Sequence, residues 1–210
     1  MIRPPRSAAF TLIEMITVIS IIVILVSLVL AVNGLVQRKA AASKAAAEIQ
    51  LLTQACEAYK TDNGGYPQDN SSTTQSTNIL DPTISTTPTS QTYYNACSFL
   101  YASLSGDTNA NGVIDANEKT NTNYAADFFK QSRMAGGAST GTPMYIMDPY
   151  GNCYGYSTAA LLAEQEYQAA LATTAGAQLL TNGSGNPRNS LGFCGYNTTF
   201  DLWSTAFSAT

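Results

Sequence analysis

The stretch FTLIEMITVISIIVILVSLVLAV, residues 10–32, decides how the rest of the chain is organised. Glu14 is its one charged residue, and the others are apolar or carry a small hydroxyl group. As a helix, about 23 residues span roughly 34 Å, which is enough to cross a bilayer core of about 30 Å. We therefore expect residues 10–34 to form a transmembrane helix. Its carboxylate should have a function, because a charge inside a membrane costs about 2.5 kcal/mol or more.

Two ordinary explanations account for only part of this stretch. A secretory signal peptide has an apolar core of roughly 7–15 residues with small residues after it. Here the core is longer, and the small residues 7–9 come before it. A plain membrane anchor explains the length but not Glu14. Arg3 and Arg6 would hold the amino end in the cytoplasm, although three basic residues soon after the span weaken that charge difference.

The sequence AAFTLIEM, residues 8–15, resembles the class III leader of type IV pilins and of type II secretion pseudopilins. The resemblance implies that residues 1–9 are a leader, that prepilin peptidase cleaves between Ala9 and Phe10, and that Phe10 is then N-methylated. Ala9 stands where the family usually has glycine. Glu14 becomes the fifth mature residue, where the family has its assembly glutamate. Because a carboxylate in an apolar bundle needs a partner, we expect Glu14 to pair with the amino group of a neighbouring subunit's Phe10. The alternative is that Glu14 lies near the membrane surface and is solvated.

Composition limits what the remainder of the chain does. The 210 residues are enough for the helix and one globular head, residues 62–210. Loss of the two leader arginines takes the net charge from −4 to −6, and a nucleic-acid surface would be basic instead. The chain has no histidine, so it cannot build a Ser-His-Asp triad or a histidine-bound metal site. We expect neither enzymatic activity nor a nucleic-acid partner.

Beyond the span, the same helix becomes amphipathic over residues 35–61. Apolar residues recur mostly at spacings of three and four, which predicts one buried stripe. That stripe comprises Leu35, Ala42, Ala45, Ile49, Leu52, Cys56 and Tyr59. Lys44 and Glu48 lie off it, four residues apart. The helix should end near residue 60, because the glycine pair and proline of YKTDNGGYP, residues 59–67, break helices. This sequence is similar to a pseudopilin motif and favours type II secretion over a type IV pilus.

The head is predicted to contain short helices and a small antiparallel sheet. Residues 68–92 are polar and are expected to form a surface loop. Helices are predicted over 93–105, 124–134 and 158–174, and strands over 143–147, 153–157 and 195–206. MDPYGNCYGYS, residues 147–157, and GYNTTFDLWSTA, residues 195–206, resemble the hairpin and the last strand of pseudopilins. The expected fold class is α+β, type IV pilin-like, with a long N-terminal helix.

The segment DTNANGVIDANE, residues 107–118, matches an EF-hand-type calcium loop at every defining position. Gly112 would permit the sharp turn, and Ile114 would point into the core. The ligands would be oxygens of five side chains and one backbone carbonyl, those of Asp107, Asn109, Asn111, Asp115, Glu118 and, for the carbonyl, Val113. The alternative is a polar turn without an ion.

In the major pseudopilin, which the chain resembles, a calcium loop with aspartates follows the last strand. Here no acidic residue follows Asp201. Our hypothesis is that calcium is bound by the loop at residues 107–118 instead.

Four cysteines lie beyond the membrane segment: Cys56, Cys97, Cys153 and Cys194. An even number in an exported domain suggests disulfides, and four cysteines allow three pairings. We favour Cys56–Cys97, which would join the long helix to the next one, and Cys153–Cys194, which would join the two C-terminal strand segments. The alternative is buried thiols. A zinc site is not expected, since no pair has zinc-site spacing.

Together these features predict a structural filament subunit of a type II secretion system, anchored in the inner membrane with its head in the periplasm. The resemblance implies three kinds of partner: copies of itself and other pseudopilins, the prepilin peptidase, and the inner-membrane assembly platform. Two alternatives remain open. One is a type IV pilus subunit for adhesion, motility or DNA uptake. The other is a membrane-tethered calcium-binding module or enzyme that does not polymerise.

Overall fold

A computed structural model describes residues 11–83, 90–118, 123–131, 133–137, 140–171 and 188–205. The chain divides into two compact units, Met1–Ala41 and Ala42–Thr210. The predicted leader, its cleavage point after Ala9 and the predicted methylation site Phe10 lie outside the described residues.

One helix, α1, runs over Leu12–Asn63 and supplies what is described of the first unit. Gly34 lies inside this helix without interrupting it. The large apolar side chains from Leu12 to Leu30 are exposed. The prediction of one continuous helix is confirmed over the described residues, from Leu12 to an end slightly later than predicted; its predicted first residue, Phe10, lies outside them.

Within the second unit, α1 buries most of the predicted stripe. Its buried or half-buried members are Ala45, Ile49, Leu52, Cys56 and Tyr59. Leu35 and Ala42, nearer the apolar segment, are exposed. Glu48 was predicted to lie off the stripe, and this is wrong, since it is 7% exposed. It is buried because its carboxylate accepts a hydrogen bond of 2.6 Å from the hydroxyl group of Tyr154.

Four further helices are described in the second unit: α2 over Ser76–Ile79, α3 over Gln91–Ser105, α4 over Ala126–Gln131 and α5 over Ala159–Leu171. Helix α3 lies at the centre of the core, and its fully buried side chains include Ala96, Cys97, Leu100 and Leu104. Helices α3 and α5 fall where the sequence predicts them.

The polar segment after α1 is more tightly packed than a surface loop. Thr77, Asn78 and Asp81 are almost fully buried. This burial is possible because the polar groups satisfy one another: Asp69, for example, accepts hydrogen bonds from the amide and the hydroxyl group of Ser76 at 2.7 and 2.8 Å. The prediction of a loop that buries little is therefore wrong for Asp69 and for residues 76–81, while residues 70–74 are exposed as predicted. Residues 84–89 lie outside the described part.

The described strands form two separate two-stranded antiparallel sheets. In the first, β1 over Arg133–Gly137 pairs with β2 over Thr142–Met147. In the second, β3 over Gly155–Ser157 pairs with β4 over Asp201–Trp203. A long N-terminal helix with a head of short helices and small antiparallel sheets confirms the predicted α+β, type IV pilin-like fold.

Two predictions about strands are wrong. The helix predicted over 124–134 ends at Gln131, because residues 133–137 form β1. The pairing of β1 with β2 depends on Gly136, which has a φ of 89°. A Cβ there would lie 2.2 Å from the carbonyl oxygen of Pro143, so this position requires glycine. The segment 153–157 returns along β2 over its first two residues and then leaves it. Cys153 makes one bridge to Met147, and β3 then bonds to β4 instead.

Candidate functional site

The start of α1 is fixed by reciprocal hydrogen bonds between Thr11 and Glu14. The Oε2 atom of Glu14 accepts from the amide and the hydroxyl group of Thr11, both at 2.8 Å. The amide of Glu14 donates to Thr11 Oγ1 at 3.4 Å. This is a capping box, and the pattern Thr-x-x-Glu that specifies it was visible in the sequence but was not recognised there. Glu14 therefore has a partner within its own chain, in addition to the partner predicted in a neighbouring subunit.

The following part of α1 is apolar on every side. Exposure of its large apolar side chains runs from 46% at Met15 to 77% at Leu12. Hydroxyl groups in this segment bond to carbonyl oxygens of the preceding turn; Ser20, for example, donates to Ile16 O at 2.7 Å. In a lipid environment, polar groups must be hydrogen-bonded within the protein because no water is present to bond to them. By length and composition, α1 contains a segment able to cross a membrane.

The loop over residues 107–118 follows α3 directly, and its first ligand position is deeply buried. Asp107 is fully buried, and its Oδ2 accepts from the amide of Gly112 at 2.7 Å and from the hydroxyl group of Tyr101 at 3.0 Å. Its Oδ1 accepts from the amide of Asn111 at 3.2 Å. Gly112 has a φ of 90°, a left-handed conformation that glycine adopts readily. The turn predicted at this position is present.

The other predicted ligands join the same hydrogen-bonded cluster. The side-chain amides of Asn109 and Asn111 both donate to Asp115 Oδ2, at 3.1 and 3.3 Å. Glu118, 2% exposed, accepts from the amides of Asn109 and Asp115 at 3.2 and 3.0 Å. Val113 enters through its amide, which donates to Asn111 Oδ1 at 2.7 Å. The loop thus brings all five predicted side-chain ligands together.

The loop brings three acidic side chains together, those of Asp107, Asp115 and Glu118. Hydrogen bonds from the Thr108 hydroxyl group and the Asp115 amide lower the pKa of Glu118, so this carboxyl is ionised at neutral pH. Among the described residues, the salt bridge found joins Lys44 to Glu48, so no described basic side chain pairs with Asp107 or Glu118.

The donor set is entirely oxygen, which suits calcium. Within the described ranges, no three acidic, cysteine or histidine side chains are arranged to hold a metal ion by themselves. Amide and backbone oxygens would therefore have to complete any site in the loop.

The tip of the loop differs from its prediction. Ile114, expected to point into the core, is 45% exposed, and Val113 is 58% exposed. The loop contacts the core through Ala110 instead. This residue is buried, and its carbonyl oxygen accepts a hydrogen bond of 2.6 Å from the amide of Met144 in β2.

All four cysteine side chains are buried thiols, so the structure does not contain the predicted disulfides, Cys56–Cys97 and Cys153–Cys194. Cys56 and Cys194, one member of each predicted pair, have other polar neighbours. Cys56 is hydrogen-bonded to Tyr156, and burial raises the pKa of Cys56 to about 12. The Sγ atom of Cys194 lies 3.4 Å from a carboxylate oxygen of Asp81 and donates to it.

Buried carboxylates outside the loop were missed by sequence reasoning. Glu48 is held by Tyr154, and Asp148 closes the turn after β2 by accepting from the Asn152 amide at 2.9 Å and the Ser204 hydroxyl group at 2.6 Å. The Asp-Pro turn was predicted, but its link to the residue after β4 was not. Nothing in the local sequence marks Glu48 for burial, because its partner is far away in the chain.

A family model described as the prokaryotic N-terminal methylation motif matches residues 4–30. This range includes the predicted cleavage point, Glu14 and most of the exposed apolar segment. The chain therefore carries a type IV pilin-like prepilin signal on a membrane-anchoring helix, which points to a structural subunit rather than an enzyme. Pilin-like subunits of this kind are processed by prepilin peptidase and assemble with other such subunits. Neither curated proteins nor solved structures give a match for this chain.

Proposed function

We propose that this protein is a pseudopilin, a filament subunit of a type II secretion system, cut between Ala9 and Phe10 and N-methylated on Phe10. The helix lies in the inner membrane before assembly, with the head in the periplasm. Its partners are further copies, other pseudopilins, the prepilin peptidase and the inner-membrane assembly platform. The observation that carries the proposal is the apolar part of α1, exposed on every side within the matched methylation motif.

Glu14 supplies specificity to this otherwise uniform surface. It is the one charge between residues 10 and 32, and it lies at the amino end of α1. Cleavage would create a positive amino group at Phe10. A carboxylate of one subunit that meets this group of the next would set the stagger between them, since a charge in an apolar bundle needs a partner.

Two motifs that resemble pseudopilin sequences also contact each other. Tyr66, from YKTDNGGYP after α1, packs against Phe200, from the segment that leads into β4, with ring centroids 4.9 Å apart and the rings tilted by 60°. The hydroxyl group of Tyr66 donates to Glu57 Oε1 at 3.0 Å, which ties it back to α1. The choice of a secretion pseudopilin over a pilus subunit is supported by the sequences of these two motifs, which belong to one packed region of the head.

The decisive experiment is mass spectrometry of the mature amino terminus together with an assembly assay in native membranes. We expect an N-methylated Phe10 and loss of at least nine-tenths of the subunit–subunit crosslinks in Glu14→Ala. Thr17→Ala, a polar change in the same segment, should assemble normally. Retention of Met1 together with normal crosslinking of Glu14→Ala would contradict the proposal. If filaments of this protein can be sheared from the cell surface, and Glu14→Ala leaves protein export unchanged, the protein is instead a type IV pilus subunit.

We also propose that the loop over residues 107–118 binds one calcium ion through the six predicted residues and stabilises the head. Support comes from the complete motif and from two buried carboxylates, Asp107 and Glu118, in an all-oxygen setting. Asp201 is the acidic residue near the family's usual calcium site. Its carboxylate instead accepts hydrogen bonds within the protein, from the amide of Tyr196 at 2.8 Å and from Asn197 Nδ2 at 2.6 Å.

Thermal unfolding of the full chain in detergent tests the calcium site. Calcium at about 100 times its Kd should add about 2.7 kcal/mol of stability, and EDTA should remove it. Glu118→Gln should weaken binding at least tenfold in a calorimetric titration. Asn117→Ala, an exposed change beside it, should bind as the wild type does. Equal melting with calcium and EDTA, with no heat of binding, would rule the ion out.

A further inference from the structure

Cys97, on helix α3, and Cys153, which is bridged to the last residue of β2, lie on the same side of β2. The rings of Tyr94 on α3 and Tyr145 on β2 are 5.0 Å apart. Cys97 is one helical turn beyond Tyr94, so the two residues share a face of α3. Met147 shares the face of Tyr145 on β2, because side chains two apart in a strand point the same way. Cys153 is the bridge partner of Met147, which brings it to the face of β2 that Cys97 approaches.

Hydrogen bonds at Ile146 place both cysteines beside the same carbonyl oxygen. The Sγ atom of Cys97 donates to the carbonyl oxygen of Ile146 at 3.3 Å. The amide of Tyr154, in the peptide bond that directly follows Cys153, donates to that same oxygen at 3.3 Å. Cys97 is fully buried and Cys153 is 1% exposed, and both belong to one apolar core. Cys56 and Cys194 have other neighbours, as described above.

We propose that Cys97 and Cys153 form a disulfide once the head reaches an oxidising compartment, while Cys56 and Cys194 stay thiols. This inference rests on the proposed export of the head. The two thiols lose two protons and two electrons as the S–S bond forms. A thiol–disulfide oxidoreductase accepts them, and its own disulfide is reduced to two thiols.

The bond would close a segment that contains the loop over residues 107–118, β1 and β2. Burial raises the pKa of Cys153 to about 11 and also raises that of Cys97, so neither is a ready thiolate in the folded head. Oxidation therefore belongs to the folding stage, before the core closes. Afterwards the disulfide would hold α3 to the end of β2 on either side of the proposed calcium loop.

The sequence itself allows a direct test, because trypsin places each cysteine in its own peptide. Cleavage at the lysines and arginines gives residues 45–60, 61–119, 134–188 and 189–210 around the four cysteines in turn. Native membranes are alkylated under denaturing conditions and digested without reduction. We expect peptide 61–119 joined to peptide 134–188, two hydrogen atoms lighter than their sum. Peptides 45–60 and 189–210 should each carry one alkylated thiol.

A second arm separates this inference from the proposed function. The purified full chain is unfolded and refolded in a buffer of oxidised and reduced glutathione, where no membrane position is involved. If the Cys97–Cys153 link forms there and native membranes contain four alkylated thiols, the pairing stands and export of the head is contradicted. A Cys56–Cys97 or Cys153–Cys194 link, or four alkylated thiols after refolding, would overturn the inference.

Paired variants give an independent readout. Reduction should lower the melting temperature of wild type and of Cys56→Ser/Cys194→Ser by about 5–10 °C, because each retains the bond. Cys97→Ser/Cys153→Ser should melt at one temperature with and without reductant. If reductant instead lowered the melting temperature of Cys97→Ser/Cys153→Ser and not that of Cys56→Ser/Cys194→Ser, the assignment would be contradicted.

Discussion

Helix α1 keeps one backbone conformation while the surroundings of its side chains change completely. Leu25, in the first unit, is 56% exposed, whereas Leu52, in the second, is fully buried. Each Å² of apolar surface removed from water is worth roughly 25 cal/mol. The part of α1 in the second unit gains this burial energy by packing against other residues of its own chain. The first-unit part can gain it only from lipid or from other copies, so one helix combines a folding segment with an assembly segment.

The largest expected effect comes from the same substitution in the two segments. Leu52→Ala removes a fully buried side chain and should destabilise the head by about 3 kcal/mol. Leu25→Ala should leave head stability within about 0.5 kcal/mol of wild type. Urea unfolding of the full chain in detergent, followed through the fluorescence of Trp203, measures both. Similar losses for the two variants would show that the segments do not differ in this way.

The two segments also treat polar groups differently. Hydroxyl groups in the apolar segment bond within their own turn, as Ser27 does to Ile24 O at 2.7 Å. In the head, buried polar side chains are bonded to one another in networks that extend beyond a single helical turn. Asp69 is such a case: burial acts to raise its pKa, but hydrogen bonds from Ser71, Ser76 and Thr74 outweigh this and lower the pKa to about 2.

Replacing Asp69 should therefore cost nearly as much as removing a buried leucine. Asp69→Asn keeps the shape but takes the charge away from four donors, and should destabilise the head by about 2 kcal/mol at pH 7. Because the pKa is lower than the unfolded value of about 3.9, the stabilisation is complete above that pH and is lost as pH falls through about 2. The gap between wild type and variant in urea unfolding should shrink over that range.

Asp62→Asn is the matched control, since Asp62 is exposed at the end of α1. It should change stability by no more than about 0.5 kcal/mol. A gap between wild type and Asp69→Asn that stayed constant from pH 7 to pH 2 would mean that the carboxylate charge at Asp69 is not what holds this segment.

Features set by neighbouring residues could be predicted from the sequence. The span, the stripe through Leu52 and Cys56 and the end of α1 follow from helical periodicity and from the breakers after Lys60. The loop at residues 107–118 was recognisable because its ligand spacing is local. Its hydrogen-bonded cluster agrees with that pattern, while calcium itself stays a prediction.

Features set by distant residues could not be predicted in the same way. Strand β2 pairs with β1, and the irregularity at Gly136 lets the two strands approach closely at Pro143. Hydrophobic periodicity in the sequence does not predict which strand pairs with β2. The burial of Glu48 depends on Tyr154. Four cysteines leave three pairings open, and spacing alone cannot choose among them.

The contact between Glu48 and Tyr154 gives a smaller, sharper test of this difference. Tyr154→Phe deletes the hydroxyl group that donates to a buried carboxylate and should cost about 1.5–2 kcal/mol. Tyr196→Phe, at a residue that is 75% exposed, should cost almost nothing. A double-mutant cycle with Glu48→Gln measures the coupling, and additive effects of the two changes would show that the bond contributes no stability.

The smallest effect is expected at the first turn of α1, where the assembly segment begins. Thr11→Val removes the hydroxyl group that both accepts from the Glu14 amide and donates to its carboxylate. Loss of such a cap costs about 1 kcal/mol of local helix stability, which should speed amide exchange at residues 12–15 about fivefold. Thr17→Val, whose hydroxyl group bonds to Glu14 O within the helix, should exchange as wild type there. If Thr11→Val exchanged no faster, the capping box would not hold the first turn, and Glu14 would be left with assembly as its one role. If it exchanged faster but assembled normally, the carboxylate would serve the two roles separately.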